Sequence, residues 1–346
     1  MRLDEFDFDL PRDRIAQQPA RPRDSARLLA VGDGLEDRTV VDLPSLLRSG
    51  DLLVVNETRV MPVRLSGKRG DATVEVTLHT DTGDGRWLAF AKPGRRLRVG
   101  DRIVFADEFH ADVAEKRPEG DVVLAFDMPA AAFVVALDRH GTMPLPPYIH
   151  RDSGGEPADR KNYQTMFAAT DGAIAAPTAG LHFTPDLLAR LKAAGIGCAR
   201  ITLHVGVGTF LPVKVEELSD HRMHSEYGVI DSNTAAAINA ARAAGGRIVA
   251  VGTTCVRLLE SAADEAGIVQ PFEGTTDLFI TPGWRFRGVD LMMTNFHLPR
   301  STLFVLVSAF AGLARMQSSY RHAIESGYRF YSYGDACLLT PEAAPT

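Results

Sequence analysis

A chain of 346 residues is long enough to bury one large core or two modest ones. Its 45% hydrophobic and 24% charged content is that of an ordinary water-soluble globular protein, and its three distant cysteines, Cys198, Cys255 and Cys337, form no CxxC pair, which argues against zinc ribbons, iron–sulfur clusters and a disulfide framework. The net charge of −6 argues only weakly against a nucleic-acid partner, because phosphates respond to local patches rather than to the total.

The acidic N-terminus, MRLDEFDFDLP, has no apolar signal core, so no export and a reducing cytoplasm are expected. Leu10 to Pro22 reads as an extended, Pro-rich segment, Arg27 to Val31 as a strand and Leu43 to Ser49 as a short helix. Asp51 to Val55 is a buried strand ending at Asn56-Glu57-Thr58-Arg59, where the polar groups form either a turn or a site. From Met61 to Asp127 short alternating runs such as Thr73 to Leu78, Trp87 to Phe90 and Arg102 to Phe105 are separated by Gly- and Asp-rich turns, the signature of a small all-β barrel or sandwich. Ala131 to Arg139 is predicted as a helix with Gly141 as a left-handed cap, and Met143 to Ile149 as a stiff linker.

From Ala173 onward strands and helices alternate, which means a layered α/β sheet. Strands are expected at Ala173–Ala176, Ile196–Val205, Arg247–Val251, Phe279–Ile280, Leu291–Met293 and Arg329–Leu339. Helices are expected from Pro185 to Gly195 behind the N-cap Thr184, over Thr234–Ala244 behind Asp231 or Ser232, and from an N-cap at Thr253 or Thr254 to Gly267. Ser301 is expected to cap an almost wholly apolar helix ending at Gly312, buried inside a domain and too short to span a bilayer, and Ser318–Ser326 is also read as helical. The fold class is therefore α/β: a discontinuous main domain, 1–60 with 149–346, carrying an inserted β-barrel domain, 61–148.

Four strand ends carry polar or reactive groups: Ala176 to Phe183, Thr202 to Phe210, Val251 to Arg257 and Thr294 to His297. Each alone reads as an ordinary turn; four in one domain point to a pocket, because ligands of open α/β sheets bind at the C-terminal ends of strands. Gly252, Thr253 and Thr254 open a helix whose free N–H groups suit a carboxylate or phosphate, with Arg257 one turn on. Gly206-Val207-Gly208 resembles the start of a dinucleotide fingerprint, but Phe210 to Lys214 is no helix, so no such cofactor is expected. His221 and His224 have a spacing that could hold zinc on a helix, but HxxH without nearby thiolates is weak, and no metal is expected. With Glu226 and Tyr227 they read either as acid–base groups or as a polar surface loop. Basic residues cluster at Arg59 to Arg69 and Lys92 to Arg98, either as solvated loops or as a phosphate-binding surface.

Long segments in order, APTAGLHFT (176–184), TLHVGVGTF (202–210), HRMHSEY (221–227), VGTTCVRLLES (251–261) and the stretch from Thr294 to Gly312, resemble one family, as do VVNETRVMPVRL (54–65), PLPPYI (144–149), YQTMF (163–167) and YGDACL (333–338). The family is S-adenosylmethionine:tRNA ribosyltransferase-isomerase, of queuosine biosynthesis, and the resemblance runs from about Phe6 to Leu339. It implies an α/β domain with a β-barrel domain. It implies S-adenosylmethionine as ribosyl donor rather than methyl donor, and as partner a tRNA anticodon loop bearing 7-aminomethyl-7-deazaguanine at the wobble position. The product implied is epoxyqueuosine in tRNA, with adenine and methionine released.

Such chemistry needs a base to remove a proton beside the sulfonium, an acid to assist adenine, and a neutral attacking amine. On that footing His204, Glu226 and His297, helped by His182, are expected to move protons. Gly252, Thr253, Thr254, Arg257, Asn295 and Tyr227 are expected to bind substrate, and Arg59, Arg64, Lys92, Arg95, Arg96 and Arg98, with Tyr148 stacking on a base, to bind tRNA. A monomer is expected. A conventional methyltransferase would want a glycine-rich strand–turn–helix fingerprint, and a radical enzyme three clustered cysteines; neither is present. A non-catalytic RNA-binding module using the β-domain is the reading from another class.

Overall fold

The computed structural model describes residues 1–118, 120–151, 155–206, 208 and 215–342. They fall into two compact units, Met1–Arg59 with Gln164–Thr170 and Ala176–Thr346, and Val60–Tyr163 with Asp171–Ala175. The fold is mixed α/β, with a large mixed sheet in the first unit and a closed barrel in the second.

The barrel runs Val122–Ala125, Arg86–Lys92, Ala72–Gly83, Arg64–Arg69, Arg102–Ala106, Phe109–Lys116, and closes because the last of these pairs antiparallel with the first. Alternation at period two sends Val74, Val76 and Leu78 of one strand and Phe109, Ala111 and Val113 of another inward, all buried. Gly67 has to be glycine, since a Cβ there would lie 2.6 Å from the Phe105 ring. The helix Ala130–His140 lays Phe133 and Leu137 over the barrel end, where Phe133 meets Phe126 at 4.7 Å between ring centres. Gly141 does not adopt the expected left-handed cap: its φ is −81°. Glycine is needed there for another reason, because a Cβ would fall 1.8 Å from the Pro62 carbonyl oxygen.

The sheet of the first unit has nine strands in the order Phe272–Thr276, Glu226–Ile230, Gly197–Leu203, Leu52–Asn56, Ile248–Val251, Leu291–Asn295, Ala336–Leu339, Arg27–Val31, Leu35–Thr39. The middle four are mutually parallel. Leu52–Asn56, Ile248–Val251 and Leu291–Asn295 are buried along their whole length, which is why they read as continuous apolar runs rather than alternating ones. One face, through Leu53, Val55, Val249, Val251 and Met293, packs on Phe183, Leu187 and Leu191. Thr184 starts that helix, Pro185–Ala193, by accepting the Leu187 N–H at 3.1 Å. Ser301 likewise caps the apolar helix Thr302–Ala311, which ends at Gly312 with φ +89°. Among the described residues no helix is long and apolar enough to cross a membrane.

Several elements differ from expectation. Phe279–Ile280 is not a strand; the outer strand is Phe272–Thr276, which pairs with Glu226–Ile230. The strand expected at Ala173–Ala176 lies earlier, at Thr170–Ala173. The last strand is only Ala336–Leu339, because the chain before it turns around the Asp335 carboxylate, which accepts the backbone N–H groups of Arg27 and Arg329. The last helix is longer than expected, Leu313–Glu325. The helix after Val251 is capped by neither threonine: Gly252, at φ +94°, is the N-cap and Thr253–Ala262 is the helix.

Candidate active site

Strand direction gathers the polar segments on one edge of the sheet. The parallel strands end there at Asn56, Leu203, Val251 and Asn295. Antiparallel neighbours begin or end at the same edge, since Glu226 pairs with Thr276 and Asn295 with Ala336. Reading across the sheet, the edge carries Thr276, Glu226, His204, Asn56, Gly252, Asn295 and Asp335 in order.

Asn56 is structural. Its amide donates to the Leu203 carbonyl at 2.8 Å and accepts from the N–H groups of Leu203 and Thr58, which locks two strand ends together. Asn295 and His182 form the next group. The segment Thr178–His182 is a short 3-10 turn, with Gly180 set against Thr165, and it delivers a His182 side chain that is 4% exposed. Asn295 Nδ2 lies 3.1 Å from His182 Nε2 and donates to the Tyr331 carbonyl at 3.2 Å. Burial pushes the His182 imidazole down from 6.5 to about 4, against an opposing pull from Asp335. His297 sits two residues past the strand. Its ring nitrogen is 3.2 Å from the Thr294 hydroxyl, its backbone N–H donates to the Tyr320 hydroxyl, and burial pushes its pKa down to about 3.

On the other side of the centre, Glu226 and Arg257 form a buried ion pair. Glu226 Oε1 accepts the Gly206 N–H at 3.0 Å, and Arg257 also donates to the carbonyls of Thr276 and Leu278. His204 is placed by its backbone N–H, which donates to the Tyr227 carbonyl at 2.9 Å, and its ring lies nearly parallel to Tyr227, 13° between planes. His204 is half-buried and burial lowers its pKa; its Nδ1 has no hydrogen-bond partner among the described residues. Tyr227 is 39% exposed and donates to Glu273. Gly252 donates to the Met293 carbonyl, so the helix start at Thr253 is held against the neighbouring strand end.

The structure thus pairs His182 with Asn295 and Glu226 with Arg257, stacks His204 by Tyr227, and sets Gly252, Thr253 and Thr254 along the same edge. A narrow cleft, with room for little more than a water molecule, is lined by Pro19, Ala20, Arg23, Leu181, His182 and the turn 332–334. Arg23 and the Tyr331–Gly334 turn were not foreseen. The only hint in the sequence was the YGDACL segment, and the key group is the Tyr331 carbonyl, which no residue type announces. His221 packs against Phe279, and the His224 ring fills the space beside Gly208. Val207 and residues 209–214, part of the segment read as a false fingerprint, lie outside the described residues.

The basic residues divide. Arg64 is paired with Glu75 at 3.1 Å, and Arg59 donates to the Ala168 carbonyl. Lys92, Arg95, Arg96 and Arg98 are exposed on a turn of the barrel unit, and Tyr148 is half-buried.

Imidazoles whose pKa burial lowers, a buried amide and a carboxylate–guanidinium pair line the C-terminal edge of a mixed sheet, the edge at which open α/β sheets take ligands, in a protein that also carries a β-barrel. The family model described as queuosine biosynthesis protein matches residues 3–339. The chain is 59% identical over 346 residues, all of both chains, to the S-adenosylmethionine:tRNA ribosyltransferase-isomerase of Rhodospirillum rubrum. It is 57% identical over 98% of each chain to the protein of that name from Caulobacter vibrioides. A crystal structure of S-adenosylmethionine tRNA ribosyltransferase from Thermotoga maritima matches at a TM-score of 0.56 and 34% identity, covering 96% of this chain and 99% of that one. The chain belongs to the queuosine biosynthesis family.

Proposed function

We propose that the chain is an S-adenosylmethionine:tRNA ribosyltransferase-isomerase. It transfers the ribosyl part of S-adenosylmethionine to 7-aminomethyl-7-deazaguanine at the tRNA wobble position and rearranges it to the epoxycyclopentane of epoxyqueuosine, releasing adenine and methionine. Full-length identity to relatives of that name supports the reading. The structural observation that supports it most is the row of His182, His204 and His297 at one sheet edge, each with its pKa lowered by burial. Neutral imidazoles accept protons and donate hydrogen bonds at pH 7, as a reaction that removes a proton beside a sulfonium and lets a purine depart requires.

His204, whose Nδ1 is unpartnered among the described residues, suits the base. Glu226 has both carboxylate oxygens engaged and holds the strand ends around it. Gly252, Thr253 and Thr254 bind the methionyl carboxylate at the helix start. Arg257 acts on Glu226 rather than on the ligand, and Tyr227 forms a wall beside His204. The exposed arginines and Lys92 of the barrel unit take tRNA phosphates, and Tyr148 stacks on a loop base. The protein works as a monomer in the cytoplasm, with S-adenosylmethionine as substrate and no metal.

The test is a release assay with S-adenosylmethionine and tRNA bearing the aminomethyl-deazaguanine. Adenine and methionine in equal amounts, dependent on that tRNA, are expected. S-adenosylhomocysteine instead would mean methyl transfer and sink the reading. Tight tRNA binding with no product would favour the binding-module alternative.

A further inference from the structure

The Asn295–His182 contact decides which nitrogen of the imidazole carries the proton. The Asn295 amide nitrogen lies within hydrogen-bond distance of two groups, His182 Nε2 at 3.1 Å and the Tyr331 carbonyl oxygen at 3.2 Å. A carbonyl can only accept, so the atom facing it is the NH₂ group. Rotating the amide would place two oxygens together and strand a buried NH₂. An NH₂ group can only donate, so His182 Nε2 is an acceptor and the ring proton sits on Nδ1. The Tyr331 carbonyl is itself held by the chain: Tyr331 has φ +74° and its N–H donates to the Phe296 carbonyl, one residue beyond Asn295.

We propose that Asn295 is a positioning residue. It fixes His182 with its proton on Nδ1, so that the ring meets substrate as a hydrogen-bond donor and not as a base, and the group that receives the bond is a ring nitrogen of the departing purine. The cleft beside His182 is small, with Pro19, Ala20, Leu181 and Tyr333 on its walls, so only the edge of a flat ring would reach the imidazole there. A hydrogen bond to a purine nitrogen stabilises the charge that grows there as the glycosidic bond breaks. The charged groups facing the ring are Asp335, Arg329 and Arg23, and burial outweighs them in keeping it uncharged. The purine assignment rests on the ribosyl-transfer reading; the tautomer does not.

The experiment measures both parts separately. Protein labelled with 15N-histidine is examined by long-range proton–nitrogen correlation, and the His182 signal is assigned by its loss in His182→Gln or by its shift in Asn295→Ser. A ring protonated on Nδ1 is expected, and a ring protonated on Nε2 overturns the proposal. Asn295→Asp replaces the donor with an acceptor. It should move the proton to Nε2 and cut kcat roughly 100-fold, the low end for losing one donor to a developing charge, with KM for S-adenosylmethionine nearly unchanged. Asn295→Asp with the tautomer switched and a normal kcat would overturn the donor role. Absence of adenine release from the wild-type protein would overturn the ribosyl-transfer reading and the purine with it, while the nitrogen spectrum of the same sample still decides the arrangement of Asn295 and His182.

Discussion

Arg257 Nη1 donates to Glu226 Oε2 at 2.5 Å, and both side chains are about as buried as the core around them, 4% and 5% exposed. The pair closes one side of the site edge. Glu226 holds Gly206 at the end of one strand, and Arg257 holds the carbonyls of Thr276 and Leu278 at the end of another. Removing the cation leaves a buried carboxylate without its charge partner. Arg257→Ala should therefore cost about 3 kcal/mol or more of stability, since breaking one half of a buried pair is worse than losing both. Arg257→Lys should recover little, because an ammonium cannot reach three acceptors in a plane. Urea unfolding of the two variants checks this, and a wild-type midpoint for Arg257→Ala would show that the pair contributes nothing.

Asp51 and Arg247 make a second pair at the opposite end of the sheet. Asp51 is 1% exposed, accepts the backbone N–H groups of Arg48 and Arg247, and takes a bidentate bond from the Arg247 guanidinium. It staples the starts of two central parallel strands, at the opposite end of those strands from the edge that carries Asn56 and Gly252. Asp51→Ala should lower stability by about 3 kcal/mol. The folded fraction, assayed well below its melting temperature, should keep kcat within a factor of about two of the wild type, since a surviving fold preserves the distant edge. A large kcat loss in fully folded Asp51→Ala would mean that the two ends of the sheet are coupled.

The central strands and the helix Thr302–Ala311 were legible in the sequence because they are buried on all sides, so their apolar runs are unbroken. The strand Phe272–Thr276, FEGTT, was not. It is an edge strand with alternate residues exposed, and only its pairing with Glu226–Ile230 makes it one. The closing strand was over-read because Tyr331 adopts a positive φ, which nothing in a tyrosine signals. Asn295, His297, His204 and Glu226 stood out as polar groups at strand ends. What holds them did not, because Tyr331, Thr276 and Leu278 act through backbone carbonyls.

Acid should destabilise the protein before its carboxylates titrate. Folded His182 and His297 have pKa values near 4 and 3, below the ordinary 6.5. Between about pH 6.5 and 4 the unfolded chain binds protons at both rings and the folded chain does not. Stability is then complete above the unfolded value and falls with decreasing pH. The slope should approach two protons, about 1.4 kcal/mol per pH unit for each ring. Chemical denaturation at pH 7 and pH 5 measures it. His182→Gln and His297→Gln should each flatten the profile, and an unchanged slope in the double variant would show that other groups cause it.

The turn carrying Lys92, Arg95, Arg96 and Arg98 is rigid in its backbone and open in its side chains. Arg69 donates to the Arg96 carbonyl at 2.7 Å, Lys116 to the Leu97 carbonyl at 2.8 Å, and Asp101 accepts the Arg98 N–H at 2.7 Å, while Leu97 is anchored in the barrel unit at 1% exposure. The side chains of Lys92, Arg95, Arg96 and Arg98 make no ion pair among the described residues. A turn held by its backbone presents these cations to phosphates without the loop itself having to order, and each side chain still loses rotamer freedom on contact. Arg95→Glu/Arg96→Glu/Arg98→Glu should weaken tRNA binding and lower the slope of log affinity against log salt by about 2 to 3, close to one per lost phosphate contact. Arg64→Glu should matter less, because Arg64 already faces Glu75. The triple variant should retain its melting temperature, since these side chains hold nothing in the fold. Filter binding across a salt series reads both quantities, and an unchanged slope would assign the turn to the solvated surface and move the tRNA site elsewhere on the molecule.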